Sequence, residues 1–338
     1  MRGLKGEPFF SVLVTVYNKE SSLRECLDSI LGQSFDDYEI IAVDDGSADK
    51  SGDILDEYAE RDKRIKVCHT VNSGVFAARM TALKKSSGKY VLNIDADDLL
   101  KPTLLKEVAD EFLKTDCDMV FYDFETEDAK GKRGVHNYFE TPMIFVGDRR
   151  SELFGLLLTT SFNSLWMKCF KREIANVPDE NRFFGIAHGE DLLQSAFAVC
   201  ASKKTSYICK ALYLYRESNG ASGRFDKKSV GGYCEVIKTL ESLMKKYGFD
   251  SDKNVGELSR MCRKILDNCM RLAVSSDMSF KEKCETVYSL KDTFLFEYIK
   301  EHPCGGFSKR QDMRFKMLDK NMSVLLTLIQ SLKRRLMF

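Results

Sequence analysis

Apolar residues along this chain follow two different rhythms. In the first 125 positions, short β-branched runs alternate with stretches of helical spacing. "FFSVLVTVY" (9–17) is apolar almost throughout, as a strand covered on both faces should be. Leu23, Cys26, Leu27, Ile30 and Leu31 then recur at helical intervals, and Gly32 stands where a helix can stop. The same reading predicts strands over 38–45, 64–69, 89–95 and 117–125. Between them it predicts a helix within 46–62 capped by Ser47 or Asp49, one over 74–88 closed by Gly88, and one over 101–115 with Pro102 near its first turn. Periodicity fades over 126–148, read as a loop or a β-excursion. Helices are expected over 149–160 and 189–200, and a strand then a Gly/Ser-rich loop over 205–224. After about 227 the rhythm is helical only: Val236, Ile237, Leu240, Leu243 and Met244 share one face, as do Leu258, Met261, Leu266 and Cys269. Further helices are expected over 279–300 and 310–336.

Strands alternating with helices imply βαβ units and an α/β fold. The expectation is a Rossmann-like, mainly parallel central sheet flanked by helices, with a C-terminal all-α appendage. The domains would be 1–225, with halves at about 8–125 and 126–225, and 226–338. In parallel sheets ligands bind at the carboxyl ends of strands. Those ends carry Thr15-Val16-Tyr17-Asn18, Asp44-Asp45 and Asp95-Ala96-Asp97-Asp98, so polar groups should collect on one rim.

Composition narrows the function classes. Hydrophobic residues make up 43% and charged residues 30%, and the formal net charge is +1, so no global field favours nucleic acid. Eleven cysteines are scattered without CxxC pairs, and no secretory leader is evident. A reduced, cytoplasmic chain is expected. No apolar run approaches the roughly 20 residues that span a bilayer. GxxxxGK[ST] and a strand-linked GxGxxG are both missing from the sequence, so neither of those phosphate cradles is expected.

The acids of "YVLNIDADDLL" (90–100) repel one another and admit three readings. They could form a solvated turn with Asp98 capping the next segment. They could supply a phosphatase-type nucleophile, although Leu99 stands where that chemistry prefers Thr or Val. Or they could hold a divalent cation shared with substrate phosphates. A cation there would offset the repulsion and neutralise a diphosphate leaving group.

The company these acids keep favours the cation. "SVLVTVYNKESSLRECLDSILGQSFDDYEIIAVDDGSADKSGDIL" followed by "NSGVFAARMTALKKSSGKYVLNIDADDLLKP" closely resembles the family 2 glycosyltransferases, which have the GT-A fold. The resemblance is strong over 9–125 and weaker to about 224. It implies that Asp97 is the main Mn²⁺ or Mg²⁺ ligand and that Asp95, beside Ala96, contacts the ribose or the metal shell. It implies that Thr15, Val16, Tyr17 and Asn18 form the base-binding strand end. Asp45 would accept from the base, uracil in well-understood members, with Asp44 beside it. Arg79 would lie near the nucleotide, although Met80 follows where relatives usually have Asn. Taken alone, Asp44 and Asp45 also read as a turn, and Tyr17 reads equally as core.

Transfer to a hydroxyl needs a base. Glu190 and Asp191 open a predicted helix, where acids commonly complement the dipole. The resemblance makes Asp191 the general base of an inverting reaction and Glu190 a helper near the acceptor. His188 is a weaker alternative base. "NSLWMKCFKREI" resembles the acceptor-side segment, so Trp166 could stack on a sugar and Lys168 line the site, although a buried tryptophan is the stronger reading. Arg216 or Arg224 could add positive charge over the diphosphate. With no Gln-x-x-Arg-Trp segment, the resemblance implies single-sugar addition from a nucleotide sugar, most simply UDP-linked, to a carbohydrate or lipid-linked acceptor in polysaccharide or glycoconjugate synthesis. The alternative is a non-catalytic nucleotide-sugar-binding or scaffolding protein. The amphipathic stretch 321–338, with Lys333, Arg334 and Arg335, leaves three options: a packed helix, which is preferred, a peripheral membrane contact, or a homodimer contact.

Overall fold

The computed structural model describes residues 6–159, 162–186, 188–217 and 227–328. The first apolar run forms β1 (Phe10–Val16), buried at every position but Thr15. Parallel neighbours lie on both its edges, β2 (Tyr38–Asp44) and β4 (Tyr90–Asp95), and β3 (Ile65–His69) pairs with the outer edge of β2. A strand so enclosed has no solvent face, which is why its sequence shows no polar alternation. Helices α1 (Leu23–Leu31), α2 (Ser51–Arg61) and α3 (Val75–Lys85) make the crossovers.

Beyond β4 the sheet becomes mixed. The chain continues through β5 (Leu99–Leu100), α4 (Leu104–Thr115), β6 (Met119–Glu127), β7 (Arg133–His136), β8 (Met143–Val146), α5 (Arg149–Leu158), β9 (Lys168–Lys171), α6 (Glu190–Ala201) and β10 (Lys204–Arg216). The order is β3-β2-β1-β4-β9-β6-β10-β5, with β7 on β6 and β8 on β10. β9 runs antiparallel between β4 and β6, while β6 and β10 are parallel. The stretch 126–148 is therefore a β-excursion from the sheet.

Two expected helix ends differ. Helix α2 starts at Ser51 with Lys50 at its N-cap, so neither Ser47 nor Asp49 caps it. Asp49 instead joins two loops, accepting from Ser51 N at 2.9 Å and Glu20 N at 3.0 Å. Helix α3 ends at Lys85, three residues before Gly88. Gly88 serves a close approach: a Cβ there would stand 2.6 Å from the Phe10 carbonyl carbon and Ser11 N.

Beside that contact lies a buried carboxylate, Glu39 on β2. Its Oε1 accepts from Ser11 Oγ at 2.6 Å, Ser87 N at 2.6 Å and Gly88 N at 3.2 Å, and its Oε2 accepts from Lys66 Nζ at 2.6 Å. The charge ties β1, β2, β3 and the turn before β4 together.

The residues separate into two compact units. One comprises Met1–Leu153, Asn163–Ile186 and Glu190–Asn219; the other comprises Phe154–Phe162, Ala187–Gly189 and Gly220–Phe338. The second unit holds α7 (Lys227–Tyr247), α8 (Asp252–Ser275), α9 (Phe280–Ser289), α10 (Phe294–Glu301) and α11 (Lys309–Asp319). Both expected apolar stripes are buried there, through Val236, Ile237 and Leu240 on α7 and Leu258, Met261 and Leu266 on α8. The helix expected over 279–300 is two helices, because Thr293 caps a new start, its Oγ1 accepting from Phe296 N. Lys333, Arg334 and Arg335 lie outside the described residues. Among those described, no helix is long and apolar enough to cross a membrane. None of the eleven cysteines is in a disulfide.

Glu39 yields a test. Burial opposes its ionisation, but the hydrogen bonds from Lys66, Ser11 and Ser87 outweigh burial and bring the carboxyl from 4.5 down to about 2. A depressed carboxyl stabilises the fold above its unfolded value, and that contribution fades as pH falls from about 4.5 through about 2. The difference is worth about 3 kcal/mol. Glu39→Gln should lower the unfolding free energy at pH 7 by about 2 kcal/mol or more. The gap from wild type should close as urea melts are taken toward pH 2. Equal stability at pH 7 would remove Glu39 as a structural hub.

Candidate active site

The polar strand ends meet because β2, β1 and β4 are parallel and in register. Val16 pairs with Asp44 on one side and Thr15 with Asp95 on the other. One rim therefore carries residues 15–18, 44–45 and 95–98.

Within that rim the side chains have different duties. Tyr17 is 50% exposed, so its ring stands outside the core. Val16 is buried and Thr15 half-buried. Asn18 has a left-handed backbone, φ +52°. Its Oδ1 accepts from Ala48 N at 2.8 Å, and its own N–H donates to Ser47 Oγ at 3.0 Å. The Asn18 side chain thus clamps two loops. Asp44 accepts from Ser47 N at 3.0 Å and pairs with His69 Nδ1 at 2.9 Å. Asp45 is buried, and its two oxygens accept from Ser73 N at 2.8 Å and Gly74 N at 2.9 Å. The turn reading applies to both acids, although a carboxylate holds about four lone-pair directions.

The acidic tip divides into three jobs. Asp98 is fully buried, which rules out a solvated turn at that position. It accepts from Tyr213 OH and Arg216 N, both at 2.8 Å. Burial and then the Asp95 charge push its carboxyl up to about 8, against those two hydrogen bonds. Asp97 is 18% exposed at its side chain, and its Oδ2 pairs with Lys19 Nζ. Asp95 accepts from Arg79 Nη2 at 3.3 Å. Burial raises the Asp95 carboxyl, Arg79 opposes this, and Asp191 and Asp97 add to it. Ala96 is buried, and its carbonyl accepts from Ser22 Oγ at 3.1 Å.

Arg79 is the central cation. It is 4% exposed, and while one arm reaches Asp95, the other, Nη1, donates to Asp191 Oδ1. Its guanidinium therefore lies between carboxylates rather than open to a nucleotide. Burial alone would lower its proton affinity, but Asp191, Asp95 and Glu190 together raise it. Asp191 lies in the first turn of α6, where the positive helix end also favours it. Burial, then the neighbouring Asp191 charge, push the Glu190 carboxyl up to about 7, with Arg79 opposing.

The other expected site residues fall elsewhere. Trp166 is 6% exposed and stacks on Tyr213, with centroids 4.5 Å apart and 13° between planes, and on Tyr215. It is a packing residue, not an open sugar platform. Lys168 is fully buried and donates to the Ser164 carbonyl at 2.6 Å. Burial brings its ammonium down to about 7, with the Asp191 charge opposing. His188 belongs to the second unit, where it stacks on Tyr233. Arg216 does not reach over an open site: its Nε donates to the Asp97 carbonyl at 2.5 Å and its Nη1 to Glu25. Arg224 lies outside the described residues. Lys19, which sequence reasoning passed over, directly follows "TVYN"; a cation at a strand end facing acids was the available signal.

Among the described residues no three His, Cys, Asp or Glu side chains converge as a metal cage. Asp97 and Asp95 fit the other kind of site, in which one or two carboxylates share a hard cation with substrate phosphates. The Lys19 ammonium on Asp97 marks the spot as one that holds positive charge.

Comparison with known proteins gives consistent findings. Residues 11–177 match the model of glycosyl transferase family 2. The glycosyltransferase GlyA of Streptococcus pneumoniae is 30% identical over 281 residues, covering 80% of this chain and 40% of that protein. EpsJ of Bacillus subtilis, described as an uncharacterized glycosyltransferase, is 31% identical over 216 residues, 62% of either chain. The chain thus spans 40% and 62% of the lengths of these two relatives. The crystal structure of S. aureus TarS 1-349 in complex with UDP-GlcNAc superposes with a TM-score of 0.68, covering 96% of this chain and 91% of that one, at 19% identity. At that identity the likeness is one of fold.

The anchoring of the acidic tip can be measured. Tyr213→Phe deletes the hydroxyl that donates to Asp98 at 2.8 Å and accepts from Asp95 N at 3.3 Å. It leaves buried partners unsatisfied, so unfolding free energy should drop by about 1–3 kcal/mol. A urea midpoint equal to that of wild type would contradict this account.

Proposed function

Because this chain belongs to the family 2 glycosyltransferases, we propose that it moves a single sugar from a nucleotide sugar to an acceptor hydroxyl with inversion. The observation that carries this reading is the Arg79 bridge: one buried guanidinium holds both Asp95, on the donor side, and Asp191, the proposed base.

The chemistry follows from that geometry. Arg79 occupies Asp191 Oδ1, which leaves Oδ2 to take the acceptor proton. Asp191 is partly exposed, at 24% of its side chain, so an acceptor can approach it. Glu190 beside it gains a proton more readily than an ordinary glutamate, and a neutral Glu190 spares Asp191 a second charge. The acceptor oxygen attacks the anomeric carbon as Asp191 takes its proton, and the bond to the diphosphate breaks on the opposite face. An α-linked donor then gives a β-linked product. The Tyr17 ring, exposed at the rim, would stack on the nucleotide base. A divalent cation, Mn²⁺ or Mg²⁺, held by Asp97 and Asp95, would neutralise the leaving diphosphate. TarS, with the same fold, was solved with UDP-GlcNAc, so a UDP-sugar is the first donor to test.

The test is a double-mutant cycle on Asp191 and Arg79. Asp191→Asn should cut kcat by about 10²-fold or more, the scale of a missing general base, while UDP affinity stays within about threefold. If Asp191→Asn turns over normally, the base assignment is wrong. Arg79→Gln should also cut kcat, and in the Asp191→Asn background it should cost little more, because residues acting as one unit are non-additive. Thermal melts of all variants separate turnover from folding.

A further inference from the structure

We propose that Lys19 is a resident counter-ion for Asp97, displaced when a divalent cation arrives together with a diphosphate, so that metal entry is coupled to nucleotide binding. This rests on the metal-site part of the reading above and not on the base.

The root of Lys19 is fixed while its head is not. Its backbone N–H donates to Ser51 Oγ at 2.8 Å, at the start of α2. Its carbonyl accepts from Ser22 N at 3.1 Å and Leu23 N at 2.9 Å, at the start of α1. Ser22 Oγ in turn donates to the Ala96 carbonyl, at 3.1 Å, inside the acidic tip. On the other side, Asn18 is locked in its left-handed conformation by Ala48. Lys19 is thus tied to two helix starts and aimed at Asp97, yet its side chain remains 33% exposed and keeps rotamer freedom.

Among the described residues, the two arginines at the rim bond atoms other than the Asp97 carboxylate, although Arg216 Nη2 has no hydrogen-bond partner. Arg79 holds Asp95 and Asp191, and Arg216 holds the Asp97 main-chain carbonyl and Glu25. Among the described residues, Lys19 is the cation paired with the Asp97 carboxylate. An ammonium and a dication on one carboxylate repel each other. A free metal ion must therefore break the ion pair and leave the ammonium beside it. A diphosphate changes the balance, because its anionic oxygens give the ammonium another partner and the metal further ligands. Lys19 then changes from counter-ion to phosphate contact without any movement of its backbone.

The experiment is Mn²⁺ binding to the full chain, followed by the free-ion electron paramagnetic resonance signal, with and without UDP. Lys19→Met keeps the stem and removes the charge. Without nucleotide it should bind Mn²⁺ about fivefold or more tightly than wild type, the scale expected when a partly buried ion pair and a nearby repulsion are both removed. With saturating UDP that advantage should vanish. Lys19→Arg should stay within about twofold of wild type in Mn²⁺ affinity, since the charge is kept. Adding Asp97→Asn should abolish the gain of Lys19→Met. Unchanged Mn²⁺ affinity in Lys19→Met overturns the proposal, as does a gain that survives Asp97→Asn. Failure of every variant to bind Mn²⁺ also overturns it, together with the metal part of the function. None of these outcomes depends on turnover, so loss of the base assignment would be seen separately.

Discussion

Three carboxylates within four positions at the end of a buried strand cannot stand together uncompensated. Asp95, Asp97 and Asp98 each find a different answer, and each answer recruits another part of the chain. Asp98 is buried against Tyr213 and the Arg216 amide, which ties the tip to β10. Asp95 shares Arg79 with Asp191, which ties it to α3 and to the start of α6. Asp97 takes Lys19 from the turn after β1. Self-repulsion in one short stretch thus brings four distant segments to one place.

The sheet beneath sets where these groups point. β1 is paired on both edges, and its register places Thr15 beside Asp95 and Val16 beside Asp44. The opposite end of the same strand is held by Gly88, whose missing side chain lets the backbone approach Phe10 and Ser11, and by Glu39. A one-residue slip would turn every side chain of the strand to the other face. The GT-A architecture is in this sense a frame that keeps mutually repelling carboxylates at a fixed spacing.

Much of this was legible along the chain. Uninterrupted β-branched runs announced strands buried on both faces, and helical spacing announced the crossovers and the C-terminal helices. The strand-end rule located the rim. What was not legible were features that depend on partners distant in sequence. Asn18 reads as part of the base-binding strand end, and its link to the 47–48 loop, through the Oδ1 that accepts from Ala48 N 30 residues away, has no local signature. Burial was the stronger reading for Trp166, but the rings that bury it, Tyr213 and Tyr215, lie about 50 residues on and left no local trace. Helix caps were misplaced because Ser47 and Asp49 each had a competing loop hydrogen bond.

By itself the sequence determined the alternation of elements, the parallel character of the first four strands and the set of polar residues at their ends, because hydrophobic period and strand polarity are local properties. Only the tertiary structure decided which charges pair. Arg79 lies 16 residues from Asp95 and 112 from Asp191, and Lys19 lies 78 from Asp97. Coulombic compensation acts over a few ångströms of space whatever the separation along the chain, so no periodicity records it.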